Sequence, residues 1–333
     1  MILSKRLPLF LTVPTAVILY AVFAGCLFFP HKQSLTHYKL LFPVESVIAS
    51  AGVFILCRRW VLSFFASLAG GAIYGFGTYA CSLLCFHPFA GLVYALIPWT
   101  FVPAVFFYRF SKLAPAHTTI ISGLLVFLSI LFIFAAYQFS SSKYLFPIPA
   151  QTRLLPASLL GIIDSIGVKQ DIFAPGFYHV CIAGLVMGTA LLIKAKKIGI
   201  LLLFAGTLAA SFYKPVLDVP PVVWTSIPVL ICSIIVALGL EAIVLAGAGD
   251  GKWLLGAIAC LLIFSIANIF ITCRQNIIPL SSALYGIGIA AVLAVYFVAE
   301  SHFSWHLLRM FVLYAAVFID IFVSTRHNID SIF

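Results

Sequence analysis

The chain has 333 residues, of which 64% are apolar, 15% aromatic and 8% charged, and its mean hydropathy is +1.19. Soluble domains carry about 25% charged residues and disordered chains combine low hydrophobicity with high charge, so both classes are excluded and an all-α, polytopic transmembrane bundle remains. The net charge of +10, from 19 Lys+Arg against 9 Asp+Glu, is scattered singly and in pairs between apolar runs. That is the pattern of charge at membrane interfaces rather than of a nucleic-acid surface.

A spanning helix needs about 20 apolar residues, so this length allows about 11 spans (roughly 10–12) and leaves no soluble domain. Apolar runs predict them over 8–29, 40–57, 60–81, 89–108, 118–137, 175–193, 198–213, 222–247, 253–272, 277–299 and 307–323. In the first, Phe23-Ala24-Gly25-Cys26 after Lys5 and Arg6 resembles a bacterial lipoprotein signal. Phe23 stands where that pattern prefers an aliphatic residue, and the apolar stretch is longer than an ordinary signal's, so an uncleaved span is expected. In the third, Ala72-Ile-Tyr-Gly-Phe-Gly77 echoes Ala283-Leu-Tyr-Gly-Ile-Gly288 of the tenth. We read both as smooth glycine faces for close helix packing rather than as an inverted repeat. In the fourth, Pro98 and Pro103 flank Trp99 and Thr100. A proline inside a span frees a carbonyl one turn back and bends the helix, and broken helices line substrate sites in transporters. Trp99 and Thr100 are therefore candidate substrate contacts.

Residues 138–174 form the one sizeable loop, with Leu155, Leu159, Ile162, Ile163 and Ile166 at helical spacing. That spacing suits an interfacial amphipathic helix or a re-entrant segment over the bundle; a plain tether is the alternative. The loop separates an N-terminal bundle of five helices (1–137) from a C-terminal bundle of about six (175–333). The short run 198–213 sets the parity of everything after it. One side collects Lys5, Arg6, Arg58, Arg59, Arg109, Lys112, Lys194, Lys196, Lys197, Lys252 and Arg309. The other has Lys32, Lys39, Lys143, Arg153, Lys169, Lys214, Arg274 and Arg326. This bias places the N-terminus in the cytoplasm and the C-terminus outside, in an inner membrane of bacterial type.

A charged side chain at the centre of a span costs about 2.5–3.5 kcal/mol, so each intramembrane carboxylate is a functional candidate. Glu241, within Ala237-Leu-Gly-Leu-Glu-Ala-Ile, is the deepest, and no residue within one turn can neutralise it. Protonation, a partner on another helix or a wet cavity is required there, and a proton-coupling role is open to it. Glu45 lies five residues into the second span. Asp320 falls about three residues from the expected outer end of the last, where the cost fades.

Gly247-Ala-Gly249-Asp250-Gly-Lys252 resembles the GxGDxK element of prepilin peptidases, and its core resembles that of presenilin-like intramembrane proteases. The resemblance covers about a dozen residues and implies a catalytic role for Asp250 as one of two aspartates activating a water. Asp164, Asp171, Asp218, Asp320 and Asp330 all fall on the opposite side in this topology, and Glu241 and Glu300 depart from the aspartate pattern. A tight turn selects the same residues and is the alternative.

His302 and His306 stand at i, i+4 beside Trp305 and Arg309, which reads as an interfacial anchor rather than a metal site. His179 reads as a hydrogen-bonded histidine near the outer end of the sixth span. The eight cysteines fall mostly inside apolar runs and act as small apolar residues. No phosphate-binding loop and no Gly-x-Ser-x-Gly element is present, and nothing implies a metal or another cofactor. The expectation is a transporter or permease-like protein with membrane lipid and one unidentified small solute as partners, Glu241 and Glu45 being its polar elements. An intramembrane enzyme acting through Asp250 or on lipid-linked substrates, and a non-catalytic membrane subunit, are the alternatives.

Overall fold

The computed structural model describes residues 9–31, 41–86, 88–110, 115–140, 148, 151–166, 175–196, 198–215, 219–272, 278–300 and 305–332. These residues hold twelve α-helices: α1 (Leu9–Phe28), α2 (Leu41–Cys57), α3 (Phe64–Phe76), α4 (Thr78–Phe86), α5 (Pro88–Phe110), α6 (Pro115–Ser140), α7 (Cys181–Lys194), α8 (Ile198–Phe212), α9 (Ser226–Leu245), α10 (Gly251–Thr272), α11 (Ile278–Glu300) and α12 (His306–Ile332). Seven stretches are long and apolar enough to cross a membrane, while α2, α7 and α8 are shorter apolar helices. The protein is a helical bundle of the multi-pass membrane type. Only helices satisfy every backbone group within a single lipid-embedded segment, and α9, buried over most of its length, is the central post against which α3 and α7 pack.

Two passes are interrupted at one depth. The third expected span, 60–81, is instead α3 and α4 joined through Gly77, whose backbone is extended (φ −65°, ψ 164°). A Cβ at Gly77 would run into the Ile73 carbonyl, so the glycine belongs to a break, not to a packing face. The sixth, 175–193, is helical only from Cys181, and residues 175–178 are irregular and buried. The 13 residues of α3 and the 14 of α7 reach about 20 Å at 1.5 Å per residue, short of a hydrocarbon core of about 30 Å. α3 starts beside Arg58 and stops at the break, and α7 starts beside that same break, so neither helix reaches the end of the bundle where residues 151–166 lie.

The last helix differs in the other direction. Hydropathy fades after residue 323, yet α12 continues to Ile332. Arg326 extends it by bonding Asp330 one turn on and the Leu27 carbonyl of α1, and Asp330 also meets His31. Asp320 consequently lies near the middle of α12 and is fully buried.

Small residues set the closest crossings. A Cβ on Gly239 of α9 would fall on the Gly184 carbonyl of α7, and one on Gly188 would fall on the Ile235 carbonyl. Gly75 is equally tight against Ser50 of α2, whereas Gly286 in the echoing motif of α11 has open space around it. Pro98 leaves the Tyr94 carbonyl without its helical donor, and Tyr74 of α3 donates to it at 3.2 Å while its ring stacks on Tyr94 at 4.2 Å.

Candidate functional site

The interrupted passes meet at a buried polar node. The break at Gly77 frees the Phe76 carbonyl, which accepts from Tyr178 Oη at 2.7 Å and Thr325 Oγ1 at 3.3 Å. Across the break, Thr78 Oγ1 accepts the Gly176 N–H at 2.8 Å. Unwound backbone inside a membrane persists only where protein groups take over its hydrogen bonds. Tyr178, Thr325 and Thr78 do so here.

At the start of α7, Asp320 Oδ2 accepts the Val180 N–H at 2.7 Å, an anion at a helix N-terminus where backbone donors and dipole favour it. Its Oδ1 lies 2.9 Å from His179 Nδ1 and accepts from Ser324 Oγ at 3.1 Å. The other ring nitrogen, His179 Nε2, is 2.9 Å from Ser281 Oγ of α11 and 3.8 Å from Asp164 Oδ1. Asn268 Nδ2 of α10 donates to Ser281 Oγ at 2.6 Å. His179, Asp320, Ser281 and Asn268 are all fully buried, and the Tyr285 ring stands edge-on to the imidazole at 4.8 Å. The two carboxylates occupy opposite nitrogens of one ring, so the three groups do not surround a common point where an ion could sit.

Asp320 is about 21 Å along α12 from His306, and Asn268 about 26 Å along α10 from Gly251. The node therefore lies inside the bundle, nearer the 151–166 end. That segment covers it. A short 3-10 turn over Pro156–Ile162 leads to Asp164, whose Oδ1 accepts the Ile166 N–H at 2.9 Å. Leu154 N–H donates to the Ser211 carbonyl at 2.8 Å, Val222 N–H to the Thr152 carbonyl at 3.1 Å, and Tyr285 Oη to the Ile163 carbonyl.

The residues singled out from sequence are dispersed. Glu241 Oε1 accepts the Leu62 and Ser63 N–H groups at 2.8 and 2.7 Å, at the N-terminus of α3, the favourable dipole end. Ser63 caps that helix through Ala66 N–H and meets Tyr314 Oη at 3.2 Å. Arg58 beside it donates to the Val61 and Leu62 carbonyls. Glu45 is buried in α2, and both its carboxylate oxygens lack a hydrogen-bond partner among the described residues. Trp99 Nε1 donates to the Ile48 carbonyl at 3.0 Å across Gly52, tying α5 to α2. Thr100 Oγ1 bonds the Ile97 carbonyl of its own helix at 2.7 Å, and its carbonyl accepts Ser129 Oγ of α6 at 2.8 Å. Asp250 is exposed, in a 3-10 turn that leads into α10, and its Oδ2 closes that turn by accepting the Gly247 N–H at 3.1 Å. Asp171, Asp218 and His302 lie outside the described residues.

Comparison with protein families, with characterised proteins and with solved structures finds no match to this chain. Fold and site together define a polytopic helical membrane protein with two interrupted passes meeting at a buried His–Asp–Ser node.

Proposed function

We propose that this protein is a transporter or permease-like carrier for a small solute, and that the His179–Asp320 node is its working site. The carrying observation is that α3 and the stretch before α7 both lose helical form at the depth of Asp320. Interrupted helices offering backbone groups and a helix N-terminus near the membrane interior are how carriers hold solutes and coupling ions. An ionisable pair kept at that depth is costly unless it works.

On this reading, alternating access has two closures. The 151–166 segment shuts the node on its own side through Tyr285 and Ser211. The Glu241 bonds to Leu62 and Ser63 hold the base of α3 at the other end. With the basic residues setting orientation, the N-terminus and the Glu241 closure face the cytoplasm of a bacterial inner membrane, and 151–166 faces outward. Glu45, Trp99 and Thr100 then belong to the supporting wall of α2 and α5, with Glu45 the one carboxylate of those two helices. Asp250 reads as a turn residue.

The test is uptake into proteoliposomes of a panel of radiolabelled amino acids, sugars, nucleosides and organic cations under an imposed pH gradient. The expected result is accumulation of one class, abolished by Asp320→Asn in folded protein. Failure to bind or move any member, with Asp320→Asn matching wild type in every assay, would contradict the proposal.

A further inference from the structure

The node holds a continuous chain of donors and acceptors from α10 to α12. Ser281 Oγ already accepts from Asn268 Nδ2 at 2.6 Å, so its own hydrogen must be given away. Among the described residues the acceptor within hydrogen-bond distance is His179 Nε2 at 2.9 Å. An imidazole accepting at Nε2 carries its hydrogen on Nδ1, and that N–H points to Asp320 Oδ1 at 2.9 Å. Asp320 is fixed as the terminal acceptor by the Val180 N–H and the Ser324 hydroxyl. Taken in the direction Asn268 to Ser281 to His179 to Asp320, the chain holds the imidazole with its hydrogen on Nδ1.

A serine hydroxyl on Nε2 of a histidine whose Nδ1–H is held by a buried aspartate is the arrangement that makes serine a nucleophile, and it is recognised by geometry and roles rather than by sequence order. We infer that Ser281 is an activated nucleophile, with His179 its general base and Asp320 the residue that orients the base. This activity is additional to solute movement and does not depend on it.

The substrate class follows from depth. The node lies inside the bundle, about 20 Å from the Arg58 end, beneath the 151–166 cover, so an acyl donor must be a membrane-partitioned carboxylic ester. Ser281 Oγ forms a bond to the carbonyl carbon as its proton passes to His179 Nε2. The carbon–oxygen bond to the leaving alcohol then breaks, and the alcohol takes that proton. A water, deprotonated by the same nitrogen, hydrolyses the acyl-serine, releasing the carboxylic acid and restoring the hydroxyl.

The experiment is labelling of the purified full chain, in detergent and in vesicles, with diisopropyl fluorophosphate, followed by mass spectrometry of the Ser281 peptide. Ser281 is fully buried beneath the cover, so a Tyr285→Phe variant, which lacks the bond to the Ile163 carbonyl, is labelled in parallel. We expect covalent modification of Ser281 in both, faster in Tyr285→Phe and absent in Ser281→Ala. His179→Gln should slow labelling by about 100-fold or more, the usual contribution of a general base, and each variant is first shown to be monodisperse. An unmodified Ser281 in wild type and in Tyr285→Phe overturns the inference. So does labelling that His179→Gln leaves unchanged. Neither result bears on whether the protein moves a solute.

Discussion

Replacing Asp320 with asparagine tests the energetics of the node. The carboxylate holds three donors: His179 Nδ1 at 2.9 Å, Val180 N–H at 2.7 Å and Ser324 Oγ at 3.1 Å. Asparagine has one acceptor oxygen and one NH2 group, so either the imidazole N–H or the Val180 N–H is left facing another donor in a site with no exposed surface. An interhelical hydrogen bond between neutral groups in a membrane protein averages about 0.6 kcal/mol, whereas a buried donor left without its acceptor costs about 1–3 kcal/mol, and more where the lost partner is a carboxylate. The second quantity decides the outcome, since the node is buried and Asp320 anchors the start of α7. Asp320→Asn should therefore lose about 2 kcal/mol or more, and Ser324→Ala, which removes one hydroxyl donor, less than about 1 kcal/mol. Unfolding in mixed micelles gives both values, with a thiol-reactive dye reporting exposure of the buried Cys57, Cys81, Cys181 and Cys232. If Asp320→Asn falls within about 1 kcal/mol of wild type, or if Ser324→Ala is equally damaging, the reasoning fails.

Four further outcomes follow from geometry. Gly239→Ala should destabilise by more than about 2 kcal/mol, because its Cβ would meet the backbone of α7 at the Gly184 carbonyl and the Gly188 nitrogen. Gly256→Ala, with nothing near it, should be neutral or stabilise by up to about 1 kcal/mol; thermal unfolding separates the two. Glu241→Ala should leave the Leu62 and Ser63 N–H groups unsatisfied at a cost of about 1–3 kcal/mol, while Glu241→Gln keeps an acceptor oxygen and costs less, with proteolysis of the 58–63 segment as readout. Asp330→Asn should cost under about 1 kcal/mol and lose its effect in high salt, because the Arg326–Asp330 pair is partly exposed. Asp250→Asn should leave stability unchanged within about 0.5 kcal/mol, since asparagine can accept the Gly247 N–H in the same turn.

The bundle was legible because hydropathy reports lipid contact directly, and the helix boundaries in α1, α2, α5 and α10 fall within a few residues of the apolar runs. The breaks were not legible in the same way. Gly77 belongs to a motif whose glycines also allow close packing, and composition alone cannot say which of them sits at an unwound turn. Asp320 reads as lying near a helix end because polar Arg326, His327 and Asn328 follow it, yet Arg326 extends α12 by pairing with Asp330 one turn on and with the Leu27 carbonyl of α1. The node joins α10, α11, α12 and the start of α7 through residues such as His179 and Asp320, 141 positions apart, which no local spacing rule connects. A usable signal was Asn268: an amide inside a continuous apolar run requires a buried partner. At Glu241 the partners in the structure are the backbone N–H groups of Leu62 and Ser63, which a sequence scan for countercharges passes over.

If the proposed carrier works through the buried node and not through the exposed Gly247–Lys252 turn, Asp320→Asn and Asp250→Asn must differ in solute uptake into proteoliposomes at matched amounts of folded protein. Uptake is expected to be abolished by Asp320→Asn and retained with Asp250→Asn. Uptake that survives Asp320→Asn, or is lost with Asp250→Asn, rules the node out as the transport site.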